Sequence, residues 1–148
     1  MSSYRRVLYH IIFRTKSGKR TLNQQYSKEL YAYIMGIIQN KKGFLYRING
    51  MEDHIHILSD LHPSIALADL VRDIKSSSSV WLKEKGINNL FEGWADGYAA
   101  FTYAWNDKDK IVTYIKNQHE HHKKTSFEDE LKELLIEHGV SYDEKFFP

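Results

Sequence analysis

Residues 44–59 read FLYRINGMEDHIHILS, and they form the centre of the predicted fold. This stretch contains two short strand candidates, 44–49 and 53–59, that are joined through Gly50, Met51 and Glu52. Two strand-like runs separated by a short segment with a glycine are typical of an antiparallel β-hairpin. The middle of the chain is therefore predicted to be a hairpin, and the other elements are placed around it.

On both sides of the hairpin, the spacing of apolar residues switches between the period of a strand and the period of a helix. Glycines and potential capping residues mark the ends of these segments. The predicted elements are a strand over 5–14, a helix over 23–41 that ends at Gly43, the hairpin strands, a helix from Ser64 to about Lys85, a strand over 98–105, a helix from Asn106 or Asp107 to about Lys124, and a helix over 126–138 that follows a possible capping box of Thr125 with Glu128 and stops at Gly139.

The resulting order is βαββαβ followed by two helices. This order, with an antiparallel hairpin in its middle, predicts an α+β fold: a ferredoxin-like sandwich with helices on one face of an antiparallel sheet. A length of 148 residues fits a single domain over 1–148. The fold alone says little about chemistry.

Composition narrows the functional classes. The chain has no cysteine, which excludes disulfides and thiolate metal sites, and no apolar run is long enough to span a bilayer. Together these features favour a cytoplasmic protein without membrane partners. A net charge of +2 decides little, but aromatic residues make up 14% of the chain. Aromatic side chains beside basic ones suit single-stranded nucleic acid, because every base offers a face for stacking.

The second hairpin strand carries a His-x-His pattern. Side chains alternate between the faces of a strand, so His54 and His56 point to one face and Ile55 points to the other. Two adjacent imidazoles can hold one divalent cation and leave room for a third ligand and a substrate. The same pattern is also typical of the polar outer face of a half-buried strand.

The third predicted helix places three further polar groups in one row. Ile111 and Ile115 lie on its core-facing side, and Tyr114 and Gln118, four residues apart, are neighbours on the adjoining flank. His121 continues that row. A phenol, an amide and an imidazole can thus meet at the edge of a buried surface, although a tyrosine at a core margin beside a solvated polar face has the same pattern.

Together these patterns resemble the single-tyrosine HUH transposases of small insertion sequences and their relatives associated with repetitive extragenic palindromes. The resemblance extends over nearly the whole chain. One departure is Ala95, where we expect glutamine, and it concerns a peripheral contact. The segments that resemble the family are Asp53–His56, the Tyr-Ile-x-Asn-Gln run over 114–118, the basic run 121–124, and residues 9–16, 74–78, 97–101 and 126–131.

The resemblance implies a metal-dependent enzyme that cuts and rejoins single-stranded DNA. By this likeness His54 and His56 bind Mg²⁺ or Mn²⁺, Gln118 is the third ligand, and Tyr114 is the nucleophile that forms a 5′-phosphotyrosine. The partners it implies are single-stranded hairpin DNA and a second copy of the chain in a homodimer. The expected location is the cytoplasm of a bacterial or archaeal cell, in association with the nucleoid. Whether Tyr114 acts on its own or on the partner's metal site stays open.

Six polar residues are expected to contact DNA, because basic and hydroxyl side chains bind phosphates and bases. The histidine among them is also a candidate to accept the tyrosine proton. A solvated helix face would have the same composition. These residues are Arg14 and Lys16 after the first strand, Arg72, Lys75 and Ser76 on the second helix, and His121.

Two other functions, and a purely structural role of the ferredoxin-like domain, are compatible with the same residues. A non-cleaving module that binds single-stranded nucleic acid would need neither Tyr114 nor a metal. A metal-dependent phosphodiester hydrolase would use His54 and His56 to activate water, and it would stay active in Tyr114→Phe.

Overall fold

The computed structural model describes residues 3–84 and 90–144. Short 3₁₀ turns over Lys16–Gly18, Gln24–Tyr26 and Trp105–Asp107 connect its longer elements. These longer elements are β1 (Tyr9–Arg14), α1 (Ser27–Asn40), β2 (Leu45–Met51), β3 (His54–Ser59), α2 (Leu67–Glu84), β4 (Ala99–Thr102), α3 (Lys108–Lys116), α4 (Gln118–His121) and α5 (Phe127–Glu137).

The four strands form one sheet in the order β2-β3-β1-β4, and each neighbouring pair is antiparallel. This is the sheet of a ferredoxin-like fold, so the predicted α+β class is confirmed. The central pair, β1 and β3, is in register with Ile12 opposite His56 and Arg14 opposite His54. The predicted metal-binding strand is therefore an inner strand of the sheet.

One face of the sheet packs against α1 and α2. Strand side chains at alternate positions, including Ile11, Phe13, Ile55 and Ile57, are buried against apolar residues of the two helices. Helical spacing supplies the partners, with Leu30, Ile34 and Ile38 on α1 and Leu70 and Ile74 on α2. This layer is the main hydrophobic core.

The opposite face of the sheet is covered by α3, α4 and α5. Ile12 packs with Phe101 and the apolar side of α5, and Leu58 packs with Ile111 and Ile115 of α3. All six residues of β3 are consequently buried. Helices thus lie on both faces of the sheet, and the polar side chains of β3 lie inside the protein and not on a solvated outer face.

The hairpin turns two residues later than its glycine. β2 continues through Gly50, which pairs with Ile55, and the turn is formed by Glu52 and Asp53. A Cβ atom on Gly50 would lie 2.2 Å from the carbonyl oxygen of His54. The glycine therefore permits close approach of the two strands at the first histidine, and it does not form the turn.

Several predicted ends differ from the structure. β1 begins at Tyr9 and not at residue 5, and β4 is limited to Ala99–Thr102. α1 ends at Asn40, and the left-handed residue that follows is Lys42, not Gly43. The predicted end of α2 at Lys85 lies outside the described residues.

Two predicted helix caps are wrong. Ser64 lies in a turn, where its Oγ is 2.6 Å from His62 Nδ1, and α2 begins three residues later. The capping box of Thr125 with Glu128 is displaced by one residue: Ser126 caps α5 by accepting a hydrogen bond from the Asp129 amide at 3.2 Å. Gly139 does follow this helix, with a φ of 67°.

The third predicted helix is interrupted. α3 ends at Lys116, Asn117 has φ −94° and ψ 22°, and the short α4 begins at Gln118. The end of α3 is attached to the sheet, because the Asn49 side-chain amide donates to the carbonyls of Ile115 (3.0 Å) and Lys116 (3.1 Å). Asn49 is paired with His56 in the sheet, so this tie sets the position of α3 relative to the histidine strand.

Within 3–84 and 90–144, no helix is both long and apolar enough to cross a membrane.

Candidate functional site

Strand β3 places two imidazoles side by side beneath the C-terminal helices. His54 and His56 are completely buried, and their ring centroids are 5.2 Å apart. The intervening Ile55 points into the core on the other face. The alternation predicted from the sequence is therefore present, and it directs both histidines towards α3, α4 and α5.

The break at the end of α3 still leaves the tyrosine and the glutamine on the same side. The Gln118 Oε1 atom lies 3.1 Å from His54 Nε2, and the Gln118 side chain is fully buried. The ring of Tyr114 is 5.9 Å from that of His56, centroid to centroid. The structure thus brings the predicted nucleophile and all three predicted metal ligands together within one chain.

A carboxylate from α5 lies at the centre of this group. Glu130 is buried, and its Oε1 is 2.9 Å from His56 Nε2. Its Oε2 accepts hydrogen bonds from the Tyr114 hydroxyl and from the Gln118 amide, the latter at 3.0 Å. Glu130 therefore links the histidine strand β3 to the helix residues Tyr114 and Gln118.

Two further histidines reach the same carboxylate from α4 and its C-terminal end. His122 Nε2 is 3.1 Å from Glu130 Oε1 and 2.9 Å from Gln118 Oε1, while its Nδ1 donates to the Thr125 carbonyl. Because both nitrogens of His122 face acceptors, the geometry favours the doubly protonated ring. His121 Nε2 lies 3.3 Å from Glu130 Oε2.

The pKa shifts of His122 and Glu130 agree with the pairing of a positive imidazole with a negative carboxylate. Burial alone would lower the pKa of His122, but its hydrogen bond and attraction to Glu130 raise that pKa above the ordinary value. Burial would raise the pKa of Glu130, but the surrounding imidazoles and hydrogen bonds lower it. Burial, reinforced by the negative Glu130, raises the pKa of the Tyr114 phenol well above its usual range. In this arrangement the tyrosine is a neutral hydrogen-bond donor.

The donor set fits a divalent cation. One ligand atom each from His54, His56, His122 and Glu130 lies within 4.8 Å of the others. Two donors on one ion at about 2.1 Å are separated by at most about 4.2 Å, so binding needs only small side-chain shifts. Imidazoles with a carboxylate suit Mn²⁺ and Zn²⁺ well, and Mg²⁺ less well.

The Nδ1 atom of each strand imidazole also has a hydrogen-bond partner, as is usual for metal-binding histidines. Asp53 Oδ1 accepts from His54 Nδ1 at 2.7 Å, and His10 Nε2 is 2.7 Å from His56 Nδ1. These contacts leave the Nε2 atoms of both histidines directed towards Gln118 and Glu130. The orientation is the second observation that fits a metal.

A groove of about 560 Å³ opens beside this cluster, between the end of β1, the hairpin turn and the start of α5. Arg14 lines it, bonded to Glu128 at 3.0 Å, and its guanidinium lies over the ring of Phe127. Lys16 is exposed in the 3₁₀ turn that follows β1. The structure therefore places Arg14 at the entrance of the site and Lys16 near the same end of the sheet.

The predicted DNA-contacting residues of α2 lie on the other side of the sheet, away from the cluster. Lys75 donates to the carbonyls of Ala95 and Gly97, and burial lowers its pKa. Arg72 is paired with Asp69 and Asp73, and the Ser76 hydroxyl donates to the Arg72 carbonyl. These three residues line a separate groove of about 560 Å³, and their contact with DNA stays a prediction.

Sequence reasoning missed Glu130, His122 and His10. A signal for Glu130 was present, because it falls within the Phe127, Leu131 and Leu134 pattern that forms the apolar side of α5. A carboxylate on an apolar helix face is rarely buried without a partner. His122 follows Gln118 by four residues, but the direction in which its side chain points depends on the break in the helix at Asn117.

Comparison with known proteins identifies relatives of this chain. The family model described as "Transposase IS200 like" matches residues 3–118. The transposase for insertion sequence element IS200 of Salmonella typhimurium is 27% identical over 120 residues, covering 78% of each protein. The ISDra2 transposase TnpA of Deinococcus radiodurans is 27% identical over 121 residues, covering 76% of this chain and 84% of that protein.

Two solved structures share the fold. A REP-associated tyrosine transposase bound to a REP hairpin superposes with a TM-score of 0.62 at 16% identity, covering 82% of this chain and 74% of that one. A candidate transposase from Deinococcus radiodurans R1 gives a TM-score of 0.59 at 23% identity, covering 80% of this chain and 95% of that one.

The fold and these relatives define the class of protein as a transposase, as the resemblance to single-tyrosine HUH enzymes implied. Within that class, the chain belongs to the IS200-like transposase family. The family match ends at Gln118, so His122 and Glu130 lie in the part of the chain beyond it.

Proposed function

We propose that this protein cuts and rejoins single-stranded DNA through a covalent bond between Tyr114 and a 5′-phosphate. The reaction depends on Mg²⁺ or Mn²⁺, and the substrate is a strand that carries an imperfect hairpin. One observation carries the proposal: a phenol, an amide and two strand imidazoles from separate elements converge on one buried point. No structural requirement of a hydrophobic core would collect these groups there.

His54, His56 and Gln118 would hold the cation, with His122 and Glu130 as additional donors. A bound divalent cation supplies Lewis-acid chemistry that offsets negative charge developing on the scissile phosphate. Availability in the cell favours Mg²⁺ or Mn²⁺, although the donor types also suit Zn²⁺.

The remaining chemistry belongs to the chain's own residues. Tyr114 Oη forms a bond to phosphorus as the bond to the 3′-oxygen breaks, and that oxygen leaves as a 3′-hydroxyl after gaining a proton. The phenolic proton passes to an adjacent base. Glu130 already accepts a hydrogen bond from the Tyr114 hydroxyl, so it is the proton acceptor that the geometry offers first, and His121 lies beside it. Rejoining reverses these bonds and needs no nucleotide.

An aromatic and cationic surface at one end of the sheet supports binding of unpaired bases. Phe44 is 58% exposed and Trp105 is 42% exposed, and both pack edge-on against Tyr46. The Arg6 guanidinium and the Lys108 ammonium lie 4.1 Å and 4.8 Å from the centre of the Trp105 ring. Exposed rings beside cations are the usual features of a single-strand binding surface.

This surface is connected to the reaction site by α3. Trp105 and Tyr114 are nine residues apart along a largely helical segment, which corresponds to about 15 Å. A strand with its scissile phosphate at Tyr114 can therefore reach the exposed rings within a few nucleotides.

The groups proposed to act in the reaction lie in contact within one chain, which supports action of Tyr114 in cis. The homodimer that the resemblance implies is part of the proposal, and light scattering of the purified protein tests it. The bacterial relatives support action on chromosomal DNA in the cytoplasm.

The decisive experiment uses hairpin oligonucleotides labelled separately at each end, incubated with protein and Mn²⁺ or Mg²⁺. A 5′-phosphotyrosine transfers the 3′-labelled fragment to the protein on a denaturing gel and releases the 5′-labelled fragment with a free 3′-hydroxyl. Tyr114→Phe and a chelator should each abolish the adduct. Tyr33→Phe is the matched control, because Tyr33 stacks on Trp81 in a distant part of the fold.

The other outcomes identify the alternatives. Cleavage without a protein-linked fragment, retained in Tyr114→Phe, would indicate a hydrolase. Tight retention of several uncut hairpins with either metal would indicate a binding module.

A further inference from the structure

His10 is a buried titratable group that the proposed reaction does not use. It lies on β1, is fully buried, and its Nε2 is 2.7 Å from His56 Nδ1. Its other nitrogen, Nδ1, is 3.3 Å from the Tyr103 hydroxyl, which is 3.2 Å from His138 Nε2. A continuous row of hydrogen bonds thus leads from His56 to the end of α5.

The row is held by packing as well as by hydrogen bonds. The rings of Phe101 and His138 are stacked with centroids 4.5 Å apart, and the ring of His10 lies edge-on to Phe101 at 6.3 Å. Its members come from β1, the segment after β4 and the end of α5, so three elements contribute. Packing from several elements therefore fixes the positions of these side chains beside His56.

The positions of the protons along this row follow from simple rules. A neutral imidazole has one N–H donor and one acceptor nitrogen. Here His56 Nε2 donates to the Glu130 carboxylate, so its Nδ1 must accept from His10 Nε2–H. His10 Nδ1 then accepts from the Tyr103 hydroxyl, and that oxygen accepts from His138.

A cation on His56 Nε2 would replace the hydrogen bond to Glu130 and reverse the other three bonds. The metal needs the lone pair of Nε2, so the ring proton must lie on Nδ1 and point at His10 Nε2. His10 can accept it only when its own proton is on Nδ1, where Tyr103 accepts and in turn donates to His138. All three rings stay neutral, because the proton lost from His56 Nε2 is balanced by one gained at His138 Nδ1.

We propose that His10 is a positioning residue that lets His56 exchange its Nε2 proton for a metal ion. It provides a hydrogen-bond partner for Nδ1 in both states, and the Tyr103 hydroxyl makes the reversal possible because it can donate or accept. His54 is held differently, since the Asp53 carboxylate can only accept. The inference rests on the metal site of the proposed function.

The test measures Mn²⁺ affinity by calorimetry without DNA, in the wild type and in His10→Phe and His10→Gln. Phenylalanine fills the space without a nitrogen, and the loss of a partner behind a metal ligand typically weakens metal binding about 10- to 100-fold. Glutamine places an amide near the position of Nε2 and should restore most of the affinity. His62→Phe, at a half-buried histidine in the turn before α2 that is not part of the row, should bind like the wild type.

Nitrogen-edited NMR of ¹⁵N-histidine protein supplies a readout that a packing defect would not change. With Mg²⁺ or Zn²⁺ bound, His56 should carry its proton on Nδ1, and without metal on Nε2. If His10→Phe does not fold, Tyr103→Phe offers the same test, because it removes the reversible hydroxyl and should weaken Mn²⁺ binding while melting as a folded protein.

The outcomes separate this inference from the proposed function. If the wild type binds no divalent ion, the metal site itself is refuted. If the wild type binds Mn²⁺ and His10→Phe binds it equally well, or if metal-loaded His56 keeps its proton on Nε2, only the role of His10 is refuted.

Discussion

Replacing Glu130 with glutamine should destabilise the metal-free protein far more than an ordinary surface substitution. The glutamine keeps the shape of the side chain but removes the negative charge that faces His122, His56 and the Tyr114 hydroxyl. A hydrogen bond to a charged group contributes about 1.5–3 kcal/mol, and loss of one partner of a buried ion pair costs about 3–5 kcal/mol. Because the amide retains part of the hydrogen bonding, we expect a loss of about 2–4 kcal/mol in the free energy of unfolding.

The pH dependence of this loss follows from the two shifted groups. The lowered pKa of Glu130 contributes stability that is present above the ordinary carboxyl value of 4.5 and is lost as the pH falls below it. The raised pKa of His122 contributes stability that is present below the ordinary value of 6.5 and is lost as the pH rises through the folded pKa. The difference between wild type and Glu130→Gln should therefore be largest between about pH 5 and 6.5 and decrease on both sides.

Urea denaturation with a chelator, at several pH values, measures this difference. Glu133→Gln is the matched control, since Glu133 lies on the same helix and is exposed. Its effect should stay within about 0.5 kcal/mol at every pH. Equal midpoints for the two variants between pH 5 and 6.5 would refute the account of Glu130 as the charged centre of the site.

Three further perturbations test other parts of the structure. Gly50→Ala should cost at least about 1–3 kcal/mol of stability, because the added Cβ meets the carbonyl of His54, and a denaturant midpoint equal to wild type would contradict the close approach. Asn49→Ala should cost about 1 kcal/mol and slow adduct formation, since it frees the end of α3; an unchanged rate in a gel time course would show that the tie is unimportant. Phe44→Ala with Trp105→Ala should weaken binding of unpaired oligonucleotides by about 1–3 kcal/mol per lost stacking contact, and unchanged affinity by fluorescence anisotropy would exclude this surface from the DNA path.

The sequence predicts the local parts of this protein better than their assembly. Alternation in β3 was enough to put His54 and His56 on one face, because the period of a strand leaves no other choice. Spacing was also enough to keep Tyr114 and Gln118 together, although the helix between them is interrupted at Asn117. Local periodicity contains this information.

What the sequence did not reveal depends on long-range docking. Glu130 is 74 residues from His56, and their contact exists because α5 folds back over the sheet. The sequence does not separate Thr125 from Ser126 as the cap of α5, because the two hydroxyl residues are adjacent and both have an acidic residue three positions later. No local pattern distinguishes these alternatives, and packing against Ile12 and Phe101 decides between them.

The single-chain origin of the site has a genetic consequence. Each polypeptide holds its own phenol, imidazoles and carboxylate, and under the proposed cis action a copy damaged at Tyr114 and another damaged at His56 have no intact set to share. In a cell that produces both, we expect no complementation between the two alleles. The transposition activity of a cell should depend only on how many undamaged copies of the gene it carries.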